Sequence, residues 1–135
     1  MSGQKTMRVK DIMQPDFDMV DGLATVADAL RHMEHPETHT LLVNKRHDDD
    51  EYGIVLFRDI AVHVLARDRA PERVNIYEIM SKPVIGVDPD MDIRYCARMF
   101  ERFGLGRAPV IDQGRILGIV RYEDMVLRGF VSGLE

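Results

Sequence analysis

The chain has 135 residues, one cysteine, 45% apolar and 30% charged residues, and a formal charge of −5; a chain of that length buries roughly two-thirds of its unfolded surface and needs no disulfide to hold a core. The acidic balance excludes broad nucleic-acid or anionic-membrane binding, which needs a basic face to release counterions, but not a local basic pocket around one phosphate. No apolar run reaches membrane-spanning length and Met1–Thr6 has no signal-peptide core, so the expected setting is a reducing cytoplasm.

Val9-Lys10-Asp11-Ile12-Met13 predicts a short helix or turn, followed by Pro15 and a short strand near Val20. Val26, Ala29, Leu30 and Met33 are spaced i, i+3, i+4, i+7, the mark of one buried helix face, and Thr25-x-x-Asp28 supplies its start. Two strands follow, Thr40–Asn44 and one opening at Gly53, separated by the acidic turn His47-Asp48-Asp49-Asp50-Glu51. A helix from about Arg58 to Asp68 closes this half, and the polar, proline-punctuated Arg67–Glu72 reads as a connector.

The same series then returns. Ile76–Met80 matches Val9–Met13 at an offset of 67, as do Val87-Asp88 and the helix face Ile93, Cys96, Ala97 and Phe100, with Asp92 at its start. Ala108-Pro109-Val110-Ile111-Asp112 answers Thr40–Asn44, placing Leu41 at the position of Pro109. Gly118-Ile119-Val120 answers Gly53-Ile54-Val55 at an offset of 65, because the second copy turns tightly through Gln113-Gly114. A last helix runs from about Tyr122 to Ser132, and Gly104 is expected to end the helix before it. The chain is therefore a duplication, with copies at residues 8–66 and 74–132 and a connector at 67–73. Each copy reads β-α-β-β-α in an α+β fold. Neither copy alone buries both faces of so small a sheet, so the two are expected to pack through their sheets as a pseudo-twofold pair.

These motifs together resemble the cystathionine-β-synthase-type (CBS) domain, in tandem from about Val9 to Phe130. The second copy fits closely through Ile79-Met80-Ser81-Lys82-Pro83-Val84, Ala108–Asp112 and Gly118–Val120; the first is looser. The resemblance implies a ligand-sensing regulatory pair that binds an adenosine-containing nucleotide (AMP, ADP, ATP or NAD type) in the cleft between copies. It also implies a homodimer and a separate effector protein, with no catalytic cofactor.

The resemblance further implies that an acid opening the last helix of each copy, Asp59 or Asp124, accepts hydrogen bonds from ribose hydroxyls. An ionised carboxylate suits a vicinal diol, although an acid in a first helical turn is favoured by the macrodipole alone. The family's Ser or Thr three residues earlier is replaced by Leu56 and Arg121. Leu56 offers no phosphate contact, whereas Arg121 can meet one bidentately, which favours the second copy. The base is expected near Met80, Ser81, Pro83 and Val84 and near Gly106, Arg107 and Ala108, with Tyr122 alongside. The first-copy counterparts are Met13–Phe17 with His39 and Thr40.

His32, His35, His39 and His47 lie near acids but lack the i, i+4 spacing of a helical metal site. Cys96 sits on a helix face that reads as core rather than as a nucleophile, and no nucleophile elbow, P-loop or dinucleotide fingerprint is present. An enzyme is not expected. Two alternatives to nucleotide sensing stand: a dimeric scaffold with degenerate sites, and a metal-responsive module. Ile60, Val64, Met125 and Val126 are the expected dimer surface.

Overall fold

The computed structural model describes residues 7–130; Met1–Thr6 and Ser132 lie outside them. In chain order the elements are α1 (Val9–Ile12), β1 (Asp18–Val20), α2 (Val26–Arg31), β2 (Thr40–Val43), β3 (Gly53–Leu56), α3 (Phe57–His63), α4 (Ile93–Phe103), β4 (Arg107–Asp112), β5 (Arg115–Arg121) and α5 (Tyr122–Asp124). The fold is α+β, as the duplication predicts, but its spatial division cuts across the repeats. One unit is Phe17–Val84; the other joins the chain up to Asp16 with the chain from Ile85 onward.

In the Phe17–Val84 unit, β1 runs parallel to β2 and β2 antiparallel to β3. The central strand β2 is buried along its whole length. The other unit repeats this topology: β4 and β5 are antiparallel, and a single parallel bridge from Val87 to Val110 stands where β1 stands in the first. Gln113 (φ 51°) and Gly114 (φ 77°) both take the left-handed conformation that a two-residue hairpin turn requires. The longer acidic turn of the first copy is pinned instead by Asp50, which accepts from the Arg46 backbone and side chain and pairs with Lys82 at 2.6 Å.

Strand pairing corrects the sequence alignment by one residue. Leu41 faces Val55 as Ala108 faces Val120, and Val43 faces Gly53 as Val110 faces Gly118. Leu42, not Leu41, therefore holds the place of Pro109. The length change lies wholly inside the turn.

Each unit is completed by the segment that leads the opposite copy. Gln14 and Ile119 exchange both backbone hydrogen bonds, at 2.8 and 2.9 Å, and Ser81 and Ile54 do the same at 3.0 and 2.9 Å. Val9 N–H donates to Met91, and its counterpart Ile76 N–H to Ala24. Apolar burial follows the same exchange. Val9 and Ile12 are fully buried against Val87, Cys96, Phe100 and Val120, while Ile76 packs with Val26, Leu41 and Val55. Each such side chain contributes about 2 kcal/mol on removal from water.

Helix ends follow local chemistry. Thr25 Oγ1 accepts from Asp28 N–H and Asp92 accepts from Arg94 N–H, so both predicted starts are caps. Gly104 closes α4 at φ 67°. Cys96 and Phe100 are fully buried on α4, as the periodicity predicts. The first-copy helix departs from it: α2 stops at Arg31, Met33 falls beyond it, and Leu30 stays 38% exposed. Buried Asp18 accepts the backbone N–H groups of Glu34 and His35 at 2.8 and 2.9 Å, which draws the chain out of the helix.

The last helices also differ from expectation. α3 ends at His63 and gives way to a 3₁₀ turn at Leu65–Arg67, and α5 passes into a π-helical turn at Met125–Phe130. Val64 and Met125 are buried and Ile60 packs on the core, so they are not the predicted dimer surface. The outward apolar residues are Val62 and Leu65 in one unit, Val126 and Leu127 in the other.

A Cβ at Gly118 would collide with the Gln14 carbonyl oxygen, whereas one at Gly106 would meet nothing within 4 Å. Gly118→Ala is expected to lower unfolding free energy by about 2 kcal/mol, in the range of overpacking costs, with Gly106→Ala near wild type. Urea denaturation checks both, and a Gly118→Ala protein as stable as wild type would contradict the close approach.

Candidate functional site

The two acids occupy matching places, each three residues past an extended residue that ends the last strand: Leu56 (φ −94°, ψ 154°) before Asp59, and Arg121 (φ −133°, ψ 157°) before Asp124. Backbone geometry around them also matches. Phe57 N–H donates to the His39 carbonyl at 3.1 Å, and Tyr122 N–H to the Gly106 carbonyl at 3.3 Å.

Their electrostatics differ. Asp59 is half-buried, and its Oδ2 accepts the Leu56 N–H at 2.8 Å, which caps α3. Its Oδ1 has no protein partner among the described residues. Asp124 is 4% exposed and held by Arg121 in a two-point pair: Nε to Oδ2 at 2.9 Å and Nη2 to Oδ1 at 3.0 Å. Leucine at residue 56 leaves its acid open; arginine at residue 121 covers its acid.

A second guanidinium stands beside this pair. Arg107 and Arg121 are direct cross-strand partners on β4 and β5. Glu123 lies between their charges, 3.6 Å from Arg107 and 3.9 Å from Arg121. Burial lowers the Arg107 pKa, Glu123 opposes that, and neighbouring Arg121 lowers it further. Like charges placed opposite on a strand pair are destabilising, and Glu123 and Asp124 offset that repulsion. Tyr122 sets its ring edge-on to Phe100 at 5.2 Å and stays 39% exposed. Gly106, Arg107, Ala108, Arg121, Tyr122 and Asp124 all belong to one unit.

Met80, Ser81, Pro83 and Val84 belong to the other unit. The sequence reading joins them to Asp124; within their own unit they lie along the strand leading to Asp59. Ser81 pairs with Ile54, the Val84 N–H donates to Tyr52, and Met80 Sδ lies 2.8 Å from where a Gly53 Cβ would stand. By the same exchange, Met13 and Gln14 lie against Gly118, on the strand leading to Asp124. His39 stacks on Phe57 with ring centroids 5.3 Å apart. The exchange escapes sequence reasoning because the repeat offset is the same whichever copy a lead segment pairs with.

A shallow depression of about 530 Å³, lined by Arg8, Asp88, Asp90, Met91, Asp92 and Tyr95, was not anticipated. Two of its three acids meet bases of the same chain: Lys10 pairs with Asp90 at 2.9 Å, and Arg94 with Asp92 at 2.7 Å, while Asp88 accepts the Asp90 N–H. The Arg94 contacts hold the Asp92 carboxyl at about 2. His32 Nδ1 lies 2.8 Å from the Asp28 carbonyl, and His35 Nδ1 lies 3.5 Å from Glu37. Among the described residues, no three His, Cys, Asp or Glu side chains are grouped to hold a metal ion. No helix among them is long and apolar enough to cross a membrane.

Comparison with known proteins matches this geometry to one family. A model of the CBS domain matches residues 9–66 and 76–128. An uncharacterised protein of Methanopyrus kandleri is 31% identical over 113 residues, covering 81% of this chain and 57% of the relative. The chain thus spans about half the length of the first curated relatives it matches. Among solved structures, a hexameric CBS-CP12 protein from bloom-forming cyanobacteria is 37% identical with a TM-score of 0.87, covering 93% of this chain and 73% of that one. The CBS domain pair of protein MJ0100, in complex with 5′-methylthioadenosine and S-adenosyl-L-methionine, is 25% identical with a TM-score of 0.78, covering 95% and 98%.

Cys96 is fully buried, and burial pushes its thiol up to about 11. At pH 8 about one thiol in a thousand is then ionised, and the thiolate is the reactive form. The folded protein is expected to resist a disulfide reagent at pH 8 and to react once unfolded in guanidinium. Rapid modification of the native chain would refute a core role for Cys96.

Proposed function

We propose, from the premise that this chain belongs to the CBS domain family, that it is a regulatory module sensing an adenosine-containing ligand of the AMP, ADP, ATP or NAD type. The observation that carries this reading is the recurrence of Asp59 and Asp124 at one backbone position in both units, with Asp59 Oδ1 unused among the described residues. A carboxylate oxygen there accepts from a ribose hydroxyl. The adenosine compounds bound by the MJ0100 pair support the ligand class. In this reading the chain has no catalytic cofactor and acts in the cytoplasm on a separate effector.

A second reading, a dimeric scaffold with degenerate sites, is favoured by one observation: the Asp124 carboxylate is already taken by Arg121. Ligand titration separates the two. Calorimetry of the wild-type chain with AMP, ADP, ATP and NAD is expected to show binding of at least one. Asp59→Asn and Asp124→Asn are each expected to weaken it about tenfold, the loss of one charged hydrogen bond, with unchanged circular dichroism. No binding of any of the four at millimolar concentration would leave the scaffold reading.

Self-association belongs to both readings. The exposed Leu65 (75%) and Leu127 (64%) are the proposed contacts. Light scattering is expected to find a dimer, and Leu65→Lys or Leu127→Lys to shift it toward monomer. A wild-type monomer at high concentration would overturn this part.

A further inference from the structure

We propose that the outer face of α4 is a docking surface for the acidic turn of a second copy of this chain. The contact is independent of the nucleotide reading and separate from the Leu65 and Leu127 surface.

α4 buries Cys96 and Phe100 and turns Arg94, Arg98 and Arg102, spaced one helical turn apart, to solvent. Tyr95 and Phe103 flank them, 59% and 55% exposed. Like charges at i, i+4 destabilise a helix, and two such steps follow one another here. Arg94 is offset by Asp92 at 2.7 Å. Arg98 and Arg102 stand over the Tyr95 and Phe103 rings of their own helix, at 5.2 and 5.9 Å. Neither meets a carboxylate among the described residues. Arginine beside tyrosine, phenylalanine and half-buried Met99, with no lysine, is the composition of a protein contact rather than of a solvated face. The matching helix of the first copy has no such face. Asp28 stands at the place of Tyr95, and Arg31, at the place of Arg98, is already paired with Asp28 and Glu72.

A complementary surface lies on the same chain. Asp48, Asp49 and Glu51 are exposed and make no ion pair among the described residues. The turn that carries them is fixed. The Asp50 side chain, 7% exposed, holds the Arg46 backbone and guanidinium on one oxygen and Lys82 on the other. Asp48 and Asp49 are therefore presented on an ordered turn, which lowers the entropy lost on docking. The second copy has only Gln113-Gly114 at that place. Each chain thus carries one basic, aromatic face and one acidic turn, the two halves of a heterologous contact. Carboxylates accept guanidinium groups in two-point geometry, and opposite charges fix the partner and its register.

The test is charge reversal followed by mixing, read by sedimentation equilibrium of the full chain. One variant carries Arg98→Glu and Arg102→Glu; the other carries Asp48→Lys and Asp49→Lys. Each alone is expected to show a lower weight-average mass than wild type, with self-association weakened at least ~10-fold. An equimolar mixture is expected to return to the wild-type mass, because each variant supplies the sign of charge that the other has lost. A contact made within one chain is not rescued by mixing, and neither are two misfolded chains. Circular dichroism and urea midpoints accompany each variant. A mass unchanged in either variant, or lost and not regained on mixing, would overturn the proposal. Binding of phosphatidylserine vesicles that requires Arg98 and Arg102, with the mass unchanged by their reversal, would assign the face to a membrane and overturn it likewise.

Discussion

Each unit of this protein is closed by a short backbone pairing to a segment from the other copy, and the remaining structure depends on that pairing. Gln14 meets Ile119 and Ser81 meets Ile54, in both cases through reciprocal hydrogen bonds. Gly118 and Gly53 make the approach possible, because at both positions a Cβ would meet Met13, Gln14 or Met80 too closely. The pairing draws in Val9 and Ile12 on one side and Ile76 and Ile79 on the other, and these complete two separate cores. The compact units of the structure do not coincide with the sequence copies.

That arrangement supplies two equivalent backbone positions for an acid, and the side chains around them have diverged. Near Asp59 the strand pair is Leu56 and Thr40, and among the described residues the carboxylate makes no ion pair and leaves Oδ1 without a partner. At Asp124 two arginines and a glutamate turn the same position into a closed charge cluster. The sequence reading favours the second copy because it keeps the family pattern and offers Arg121 to phosphate. The structure reverses the order of accessibility: the looser first copy has the open acid and the better-matched copy has the guarded one.

How much of this was legible in the sequence depends on how local each signal is. Thr25, Asp92, Gly104 and Gln113-Gly114 were readable because caps and tight turns are set within a few residues. The α4 face was readable because eleven residues carry a clear period. α2 was misread because its end is fixed by Asp18, distant along the chain, accepting the Glu34 and His35 amides. Val64 and Met125 were assigned to a surface because a helix leaving a strand has no readable phase until its packing is known. The exchange of lead segments was hidden by the repeat itself. The Arg121–Asp124 pair is hidden differently: i, i+3 spacing across a strand-to-helix junction does not show whether two side chains meet until the backbone turn between them is known.

The central proposal is that an acid at one backbone position of each unit, Asp59 or Asp124, receives the ribose of an adenosine-containing ligand. A crystal structure of the full chain with AMP tests it most directly. The expected result is ribose hydroxyls within hydrogen-bond distance of an acid at residue 59 or 124. AMP bound away from both acids would contradict it.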